Sequence, residues 1–134
     1  MSKVAIVTDS TAYLSEDMVS NYNITVVPLV VIWGEETQRD NIDISPNQFY
    51  ERLSTSKSMP STSQATVKAF EDGFRKLHED GYQILTVVLS AELSGTMDSA
   101  IQAKALVPEA TVEILDSQFT SVPLAYMVLA AARA

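Results

Sequence analysis

Cysteine, histidine and basic residues are scarce in this chain, and each scarcity excludes a class of protein. The sequence contains no cysteine, so disulfide frameworks and thiolate chemistry are both excluded. The single histidine, His78, cannot form a zinc site of the usual cysteine or multi-histidine type. Nine Lys and Arg residues face seventeen Asp and Glu residues, and the net charge of -8 argues against binding to nucleic acid.

Long hydrophobic runs are also missing. The N-terminal run Val4–Val7 is followed at once by polar Thr8 and Asp9, and it is too short for the core of a signal peptide. No other stretch approaches the roughly 18 apolar residues of a membrane span. With 46% hydrophobic and 19% charged residues among 134, the composition predicts one folded domain, which we expect to be cytoplasmic and without a transmembrane segment.

Predicted strands and helices alternate along the chain. This order favours a three-layer α/β/α fold with a mainly parallel sheet, to which we add an edge hairpin near residues 29–40. The predicted strands are Val4–Val7, Ile24–Trp33 with a bend or bulge at Pro28, Thr37–Asp40, Tyr82–Leu89 and Thr111–Leu115. The predicted helices are Glu16–Asn21, a helix from Ser45 through Leu53, a helix carrying Val67 to Leu77, Thr96–Val107 and Val122–Ala132.

Two other segments have distinctive compositions. Ser54–Ser63 is almost without apolar residues and is predicted to be a loop. The last predicted helix, Val122–Ala132, is apolar nearly all round, and such a helix needs other elements around it. We therefore expect the chain to be a piece of a longer protein whose remaining part covers this helix.

Hydroxyl-bearing side chains gather where the predicted strands end. Thr8–Thr11, Ser90–Thr96 and Asp116-Ser117 each follow a strand, and Ser61–Ser63 precedes a helix. In an open α/β sheet, ligands bind at the carboxyl ends of the strands. Hydroxyls donate hydrogen bonds without carrying charge, and helix N-termini beside Ser63 and Gly95 would add oriented N–H groups. The pattern predicts an anion site suited to a carboxylate.

Each of these residues also has a purely structural interpretation. Thr62 and Ser63 could cap the helix that follows them. The segment Ser94–Thr96 could be only a strand-to-helix turn, in which glycine supplies backbone freedom. Asp9 and Asp116 could be acids that cap loops rather than ligands.

Catalytic interpretations have less support in the sequence. Asp9-Ser10-Thr11 after a strand resembles the start of a haloacid-dehalogenase-type phosphatase, but Thr11 stands where that motif has a second Asp. Ser94-Gly95 is not a nucleophile elbow, no histidine is placed to partner it, and no phosphate-binding loop motif occurs. We therefore predict a binding protein without catalytic residues, cofactor or metal site. The alternatives are an Asp9-dependent phosphatase or phosphotransferase and a structural fragment without a ligand.

Four short motifs together make the sequence similar to a known family. They are Val7–Thr11, Pro60–Gln64, Leu93–Thr96 and Asp116-Ser117, and their order and spacing cover the whole chain. On these motifs the chain resembles the DegV family of bacterial fatty-acid-binding proteins. The resemblance implies a two-domain protein about twice this length, of which residues 1–134 would be the N-terminal, lipid head-group-binding α/β domain.

The resemblance also implies a ligand, a partner and site residues. It implies that Thr62 and Ser94 hold the carboxylate of a long-chain fatty acid such as palmitate, for presentation to a separate fatty acid kinase that supplies ATP and metal. Ala65 stands where many relatives have proline, which leaves the hydroxyls in place. The secondary candidates near the head group are Asp9, Ser10, Thr11, Ser63, Gly95, Thr96 and Ser117.

Overall fold

The computed structural model describes residues 3–134, and these residues form two sheets with helices packed around them. The strands are β1 (Lys3–Asp9), β2 (Ile24–Val27), β3 (Val30–Trp33), β4 (Glu36–Arg39), β5 (Ser61–Ser63), β6 (Tyr82–Val88) and β7 (Val112–Asp116). The helices are α1 (Glu16–Tyr22), α2 (Pro46–Thr55), α3 (Val67–Glu79), α4 (Thr96–Leu106) and α5 (Ser121–Arg133).

The larger sheet is parallel and has the strand order β2-β1-β6-β7. Helices α3 and α4 pack on one face, and α1 and α5 pack on the other, which confirms the predicted three-layer α/β/α architecture. The chain proceeds outward from β1 to β2 in one direction and from β6 to β7 in the other. The carboxyl ends of β1 and β6 therefore flank the switch point, where open α/β sheets form their ligand crevice.

The predicted hairpin is present, but it lies in a second sheet and not at the edge of the parallel one. Strands β3 and β4 pair antiparallel around Gly34, whose φ of +63° suits glycine in a tight turn. The predicted single strand over residues 24–33 is divided at Pro28, where β2 ends in one sheet and β3 begins in the other. Proline lacks an N–H and cannot continue a ladder, which explains the division.

The prediction of a loop over Ser54–Ser63 is wrong at its end. Ser61–Ser63 forms β5, which pairs antiparallel with β3 and places Thr62 opposite Val31. These three residues are exposed and polar, so no alternation of hydrophobic residues marks them as a strand; their pairing uses only the backbone. The suggested capping role of Thr62 and Ser63 is also wrong, because Thr66 caps α3 by accepting from the Ala69 N–H.

The hydrophobic core is divided unequally between the two sheets. The parallel sheet and its helices enclose a large cluster around Phe70, Phe74 and Leu124, all fully buried. The small sheet and α2 enclose a separate cluster centred on Val31 and Trp33. Helix α2 begins with a capping box formed by Ser45 and Gln48, and it buries no residue completely.

Helix α5 is packed along one side only. Leu124, Val128 and Leu129 are buried against the parallel sheet, whereas Val122 and Tyr126 are exposed. The described residues include no helix that is both long and apolar enough to cross a membrane.

Candidate functional site

A cleft of about 760 Å³ lies beyond the carboxyl ends of β1 and β6, between the two sheets. Its volume falls within the range of small-molecule pockets, about 300–1,000 Å³. The parallel sheet contributes the segments that follow β1 and β6, and the small sheet contributes β3 and β5. Its apolar lining includes Leu29, Val31, Phe49, Tyr50, Leu89 and Leu93.

The two hydroxyls expected to bind a carboxylate line this same cleft. Thr62 lies in the exposed strand β5, and Ser94 lies half-buried in the loop between β6 and α4. Three of the secondary candidates, Thr11, Ser63 and Gly95, line it as well. Neither Thr62 nor Ser63 uses its hydroxyl in a hydrogen bond to any described residue, so both hydroxyls are available to a ligand.

A hydrogen-bond network joins the two walls that carry these hydroxyls. The Gln64 side-chain amide donates to Ser99 Oγ at 3.1 Å, and the Ala65 N–H donates to Thr96 Oγ1 at 3.3 Å. A Cβ at Gly95 would overlap Gln64 Oε1, so the absence of a side chain at Gly95 leaves room for the Gln64 amide to reach Ser99. Sequence reasoning gave Gln64 and Ser99 no role, because their contact depends on how β5 docks.

Asp9 lies behind the cleft wall and holds loops together. Its buried carboxylate accepts from the Leu89 N–H at 2.7 Å and from the Thr11 N–H at 2.8 Å, and it also accepts from the Thr11 hydroxyl. Burial raises the pKa of Asp9 above its ordinary value, and these hydrogen bonds only partly oppose that shift. Asp116 likewise accepts from the Ala91 and Gln118 N–H groups. Both acids act as loop caps.

The remaining candidates are engaged inside the fold. Ser10 Oγ accepts from the Leu29 N–H at 3.0 Å and donates to Asp40 Oδ2 at 2.7 Å, linking the two sheets. Ser117 Oγ exchanges hydrogen bonds with the backbone of Phe119. Thr96 is fully buried behind Ser94. None of Asp9, Ser10, Thr96 and Ser117 is among the residues that line the cleft.

The electrostatics of the cleft depend on dipoles rather than on cations. No Lys or Arg of residues 3–134 lines it, and Asp40 is its one charged lining residue. The Tyr13 hydroxyl donates to Asp40 Oδ2 at 3.0 Å, and burial together with this carboxylate raises the pKa of Tyr13 to about 12. The opposite wall ends at the N-terminus of α4, where backbone N–H groups favour an anion.

The arrangement of fold and cleft can be compared with known proteins. The family model described as "Uncharacterised protein, DegV family" matches residues 3–134. The chain belongs to the DegV family. A DegV domain-containing protein of Halalkalibacterium halodurans is 38% identical over 134 residues, which cover 99% of this chain and 47% of that protein. The chain thus spans about half the length of the curated relatives it matches.

Solved structures of DegV proteins have the same fold as this chain. DegV of Bacillus subtilis, described as a fatty acid binding protein, superimposes with a TM-score of 0.94 at 31% identity, over 99% of this chain and 47% of that one. A stearic acid-binding protein from Eubacterium ventriosum gives a TM-score of 0.90 at 33% identity, with the same coverage of both chains. These matches confirm the predicted family and the predicted α/β fold.

Proposed function

We propose that this chain binds a long-chain fatty acid, such as palmitate, and holds its carboxylate with the hydroxyls of Thr62 and Ser94. The observation that carries the proposal is that these two residues, far apart in the sequence, line one cleft. Fatty acids are the ligands named for DegV of Bacillus subtilis and for the stearic acid-binding protein of Eubacterium ventriosum. The cleft also combines apolar side chains with hydroxyl and amide groups, so it offers contacts to both ends of an amphipathic ligand.

The proposed head-group position follows from the distribution of charge. Asp40 repels an anion, although its Oδ2 accepts from the hydroxyls of Ser10 and Tyr13. The carboxylate is expected on the opposite side, near Ser94 and the start of α4, where donors and the helix dipole stabilise it.

The acyl tail supplies most of the affinity in this proposal. A C16 tail has about 14 methylenes, and at about 0.8 kcal/mol each their full burial contributes roughly 11 kcal/mol before ordering costs. A hydrogen bond to a charged acceptor contributes about 1.5–3 kcal/mol. Thr62 and Ser94 would therefore set the orientation of the ligand, with the carboxylate at the cleft mouth.

The biological role that we propose is presentation and not catalysis. A carboxylate held at the mouth of a cleft remains accessible to a second protein, and the family resemblance implies that this protein is a fatty acid kinase. The kinase would supply ATP and metal, and this chain would supply the oriented substrate. No residue of the chain is assigned a catalytic role.

Extraction of the purified protein followed by mass spectrometry tests the proposal. We expect a C14–C18 fatty acid in roughly stoichiometric amount, and the delipidated protein should bind added palmitate. A protein that carries no lipid and fails to bind palmitate would contradict the proposal.

The same preparation tests the alternative of an Asp9-dependent phosphatase. Its buried, hydrogen-bonded carboxylate does not line the cleft, so we expect no turnover of phosphate esters with or without Mg²⁺. A Mg²⁺-dependent rate that disappears in Asp9→Asn would favour the enzyme instead.

A further inference from the structure

Behind the cleft wall, a second hydroxyl touches that of Ser94. Ser94 Oγ and Thr96 Oγ1 are 2.9 Å apart, and either oxygen could be the donor on geometry alone. Ser94 is half-buried and lines the cleft, whereas Thr96 is fully buried. The direction of this bond decides what Ser94 can offer a ligand.

The surroundings of Thr96 determine the direction. Thr96 Oγ1 accepts from the Ala65 N–H at 3.3 Å, which uses one of its lone pairs. The hydroxyl proton of Thr96 has one acceptor within hydrogen-bonding distance among residues 3–134, and that acceptor is Ser94 Oγ. If Ser94 donated to Thr96 instead, the buried Thr96 proton would have no acceptor, which is costly away from water. Thr96 therefore donates to Ser94.

The Ser94 oxygen then has no free lone pair. It accepts from the Thr96 hydroxyl and also from the Thr96 N–H at 3.2 Å. A serine hydroxyl has two lone pairs and one proton, so only the proton remains for a ligand in the cleft that Ser94 lines. The chain of donors runs from the Ala65 N–H through Thr96 to Ser94, and each bond polarises the next.

We propose that Thr96 is a positioning residue that makes Ser94 an obligate hydrogen-bond donor. The cleft then favours a head group that accepts hydrogen bonds without donating any, namely an ionised carboxylate, over a neutral alcohol of the same length. This inference rests on the proposed function and adds the origin of its head-group selectivity. Thr62 has no such partner among residues 3–134, so its hydroxyl can donate or accept and contributes less to the selectivity.

The test compares the affinities of the full-length gene product for palmitate and hexadecanol, in the parent and in two Thr96 variants. Thr96→Val removes the donor, which weakens the polarisation of Ser94 and frees a lone pair that can accept from an alcohol. We expect the preference for palmitate over hexadecanol to fall by about 2- to 10-fold, the equivalent of one neutral hydrogen bond. Thr96→Ser keeps the hydroxyl and should retain the parental preference.

A matched control separates this effect from simple loosening of the fold. Thr66→Val makes the same substitution nearby and removes the cap of α3, but among residues 3–134 the Thr66 hydroxyl bonds the Ala69 N–H and not Ser94. Thr66→Val should lower stability without changing the ratio of the two affinities. If Thr96→Val fails to fold, Thr96→Ala removes the same hydroxyl with a smaller side chain.

The outcomes also separate this inference from the function on which it rests. A parent protein that binds neither ligand overturns both proposals. A parent that prefers palmitate, together with folded Thr96→Val or Thr96→Ala variants that keep the parental ratio, overturns the role of Thr96 alone. Loss of the preference in Thr96→Ser as well as in Thr96→Val would show that packing, and not the hydroxyl, is responsible.

Discussion

The two sheets that enclose the cleft are stabilised in different ways. The parallel sheet is covered on both faces, and its cluster is built on fully buried residues such as Phe70 and Phe74. Among the residues that the structure describes, the small sheet has a core of three buried residues, Val31, Trp33 and Ile44, and its strand β5 is exposed throughout. One wall of the cleft is therefore set by packing and the other mainly by hydrogen bonds.

This difference has a consequence for the site. Ser94 follows a strand of the parallel sheet, which is packed on both faces, whereas Thr62 lies on a strand that the small sheet holds by backbone pairing with β3. The Gln64–Ser99 and Ala65–Thr96 hydrogen bonds attach the weaker wall to the stronger one. Local opening of β5 should accordingly cost less free energy than global unfolding.

The largest expected effect comes from the core of the parallel sheet. Phe74→Ala should reduce the free energy of unfolding by about 3–5 kcal/mol, because the residue is fully buried and its removal leaves a cavity. Urea denaturation measures the change. As a control, Tyr126→Ala on the exposed face of α5 should cost about 0.5 kcal/mol or less. A loss below about 1 kcal/mol for Phe74→Ala would contradict the assigned core.

A smaller and more local effect is expected in the second sheet. Val31→Ala removes two buried methyl groups, with an expected loss of about 1.5–2.5 kcal/mol. Amide hydrogen exchange should accelerate in β3 and β5 and stay nearly constant in β1 and β6. The matched variant Val87→Ala lies in β6 and should instead accelerate exchange across the parallel sheet. Identical exchange patterns in the two variants would show that the sheets unfold as one unit.

The contact between the walls can be broken at Gly95. In Gly95→Ala the new methyl group overlaps Gln64 Oε1, so the Gln64 side chain must leave Ser99. We expect a loss of about 1 kcal/mol in stability, the value of one hydrogen bond. Gly73→Ala is the control. Gly73 lies within α3, and a Cβ there would meet a Thr25 methyl at 3.9 Å, which is an ordinary van der Waals contact. That helical substitution should stabilise the protein by about 0.5–1 kcal/mol.

The smallest expected effect is the raised pKa of a tyrosine that lines the cleft. Tyr13 has its pKa raised to about 12, by burial and by Asp40. Its stabilising contribution is therefore complete below about pH 10, the ordinary tyrosine value, and is lost as the pH rises through about 12. Ultraviolet difference spectra should show a late-titrating phenol that disappears in Tyr13→Phe and shifts to lower pH in Asp40→Asn. A spectrum without that late phase would place Tyr13 away from Asp40.

The contrast between the sheets also explains how far the sequence could predict the molecule. The apolar centre of Tyr82–Leu89 and the stripe carrying Phe70 and Phe74 predicted the parallel sheet and α3, because packing selects those patterns. Strand β5 gave no such signal, since Ser61–Ser63 uses only its backbone in pairing. The Gln64–Ser99 contact and the hydrogen bonds from Ser10 and Tyr13 to Asp40 gave no signal either, because each joins segments that are far apart in the sequence. The hydroxyls at the strand ends predicted one anion site, and the family motifs singled out Thr62 and Ser94, which line the same cleft.

The measurement that tests the central claim most directly is palmitate affinity in head-group variants of the full-length gene product. Thr62→Ala and Ser94→Ala should each weaken binding by about 1–3 kcal/mol, or about 5- to 150-fold, and the double variant should weaken it further. Thr37→Ala and Ser54→Ala are matched controls, because both residues are exposed and lie outside the cleft. They should bind palmitate as the parent does. If the folded Thr62→Ala and Ser94→Ala variants also match the parent, the carboxylate lies elsewhere and the proposed site is wrong.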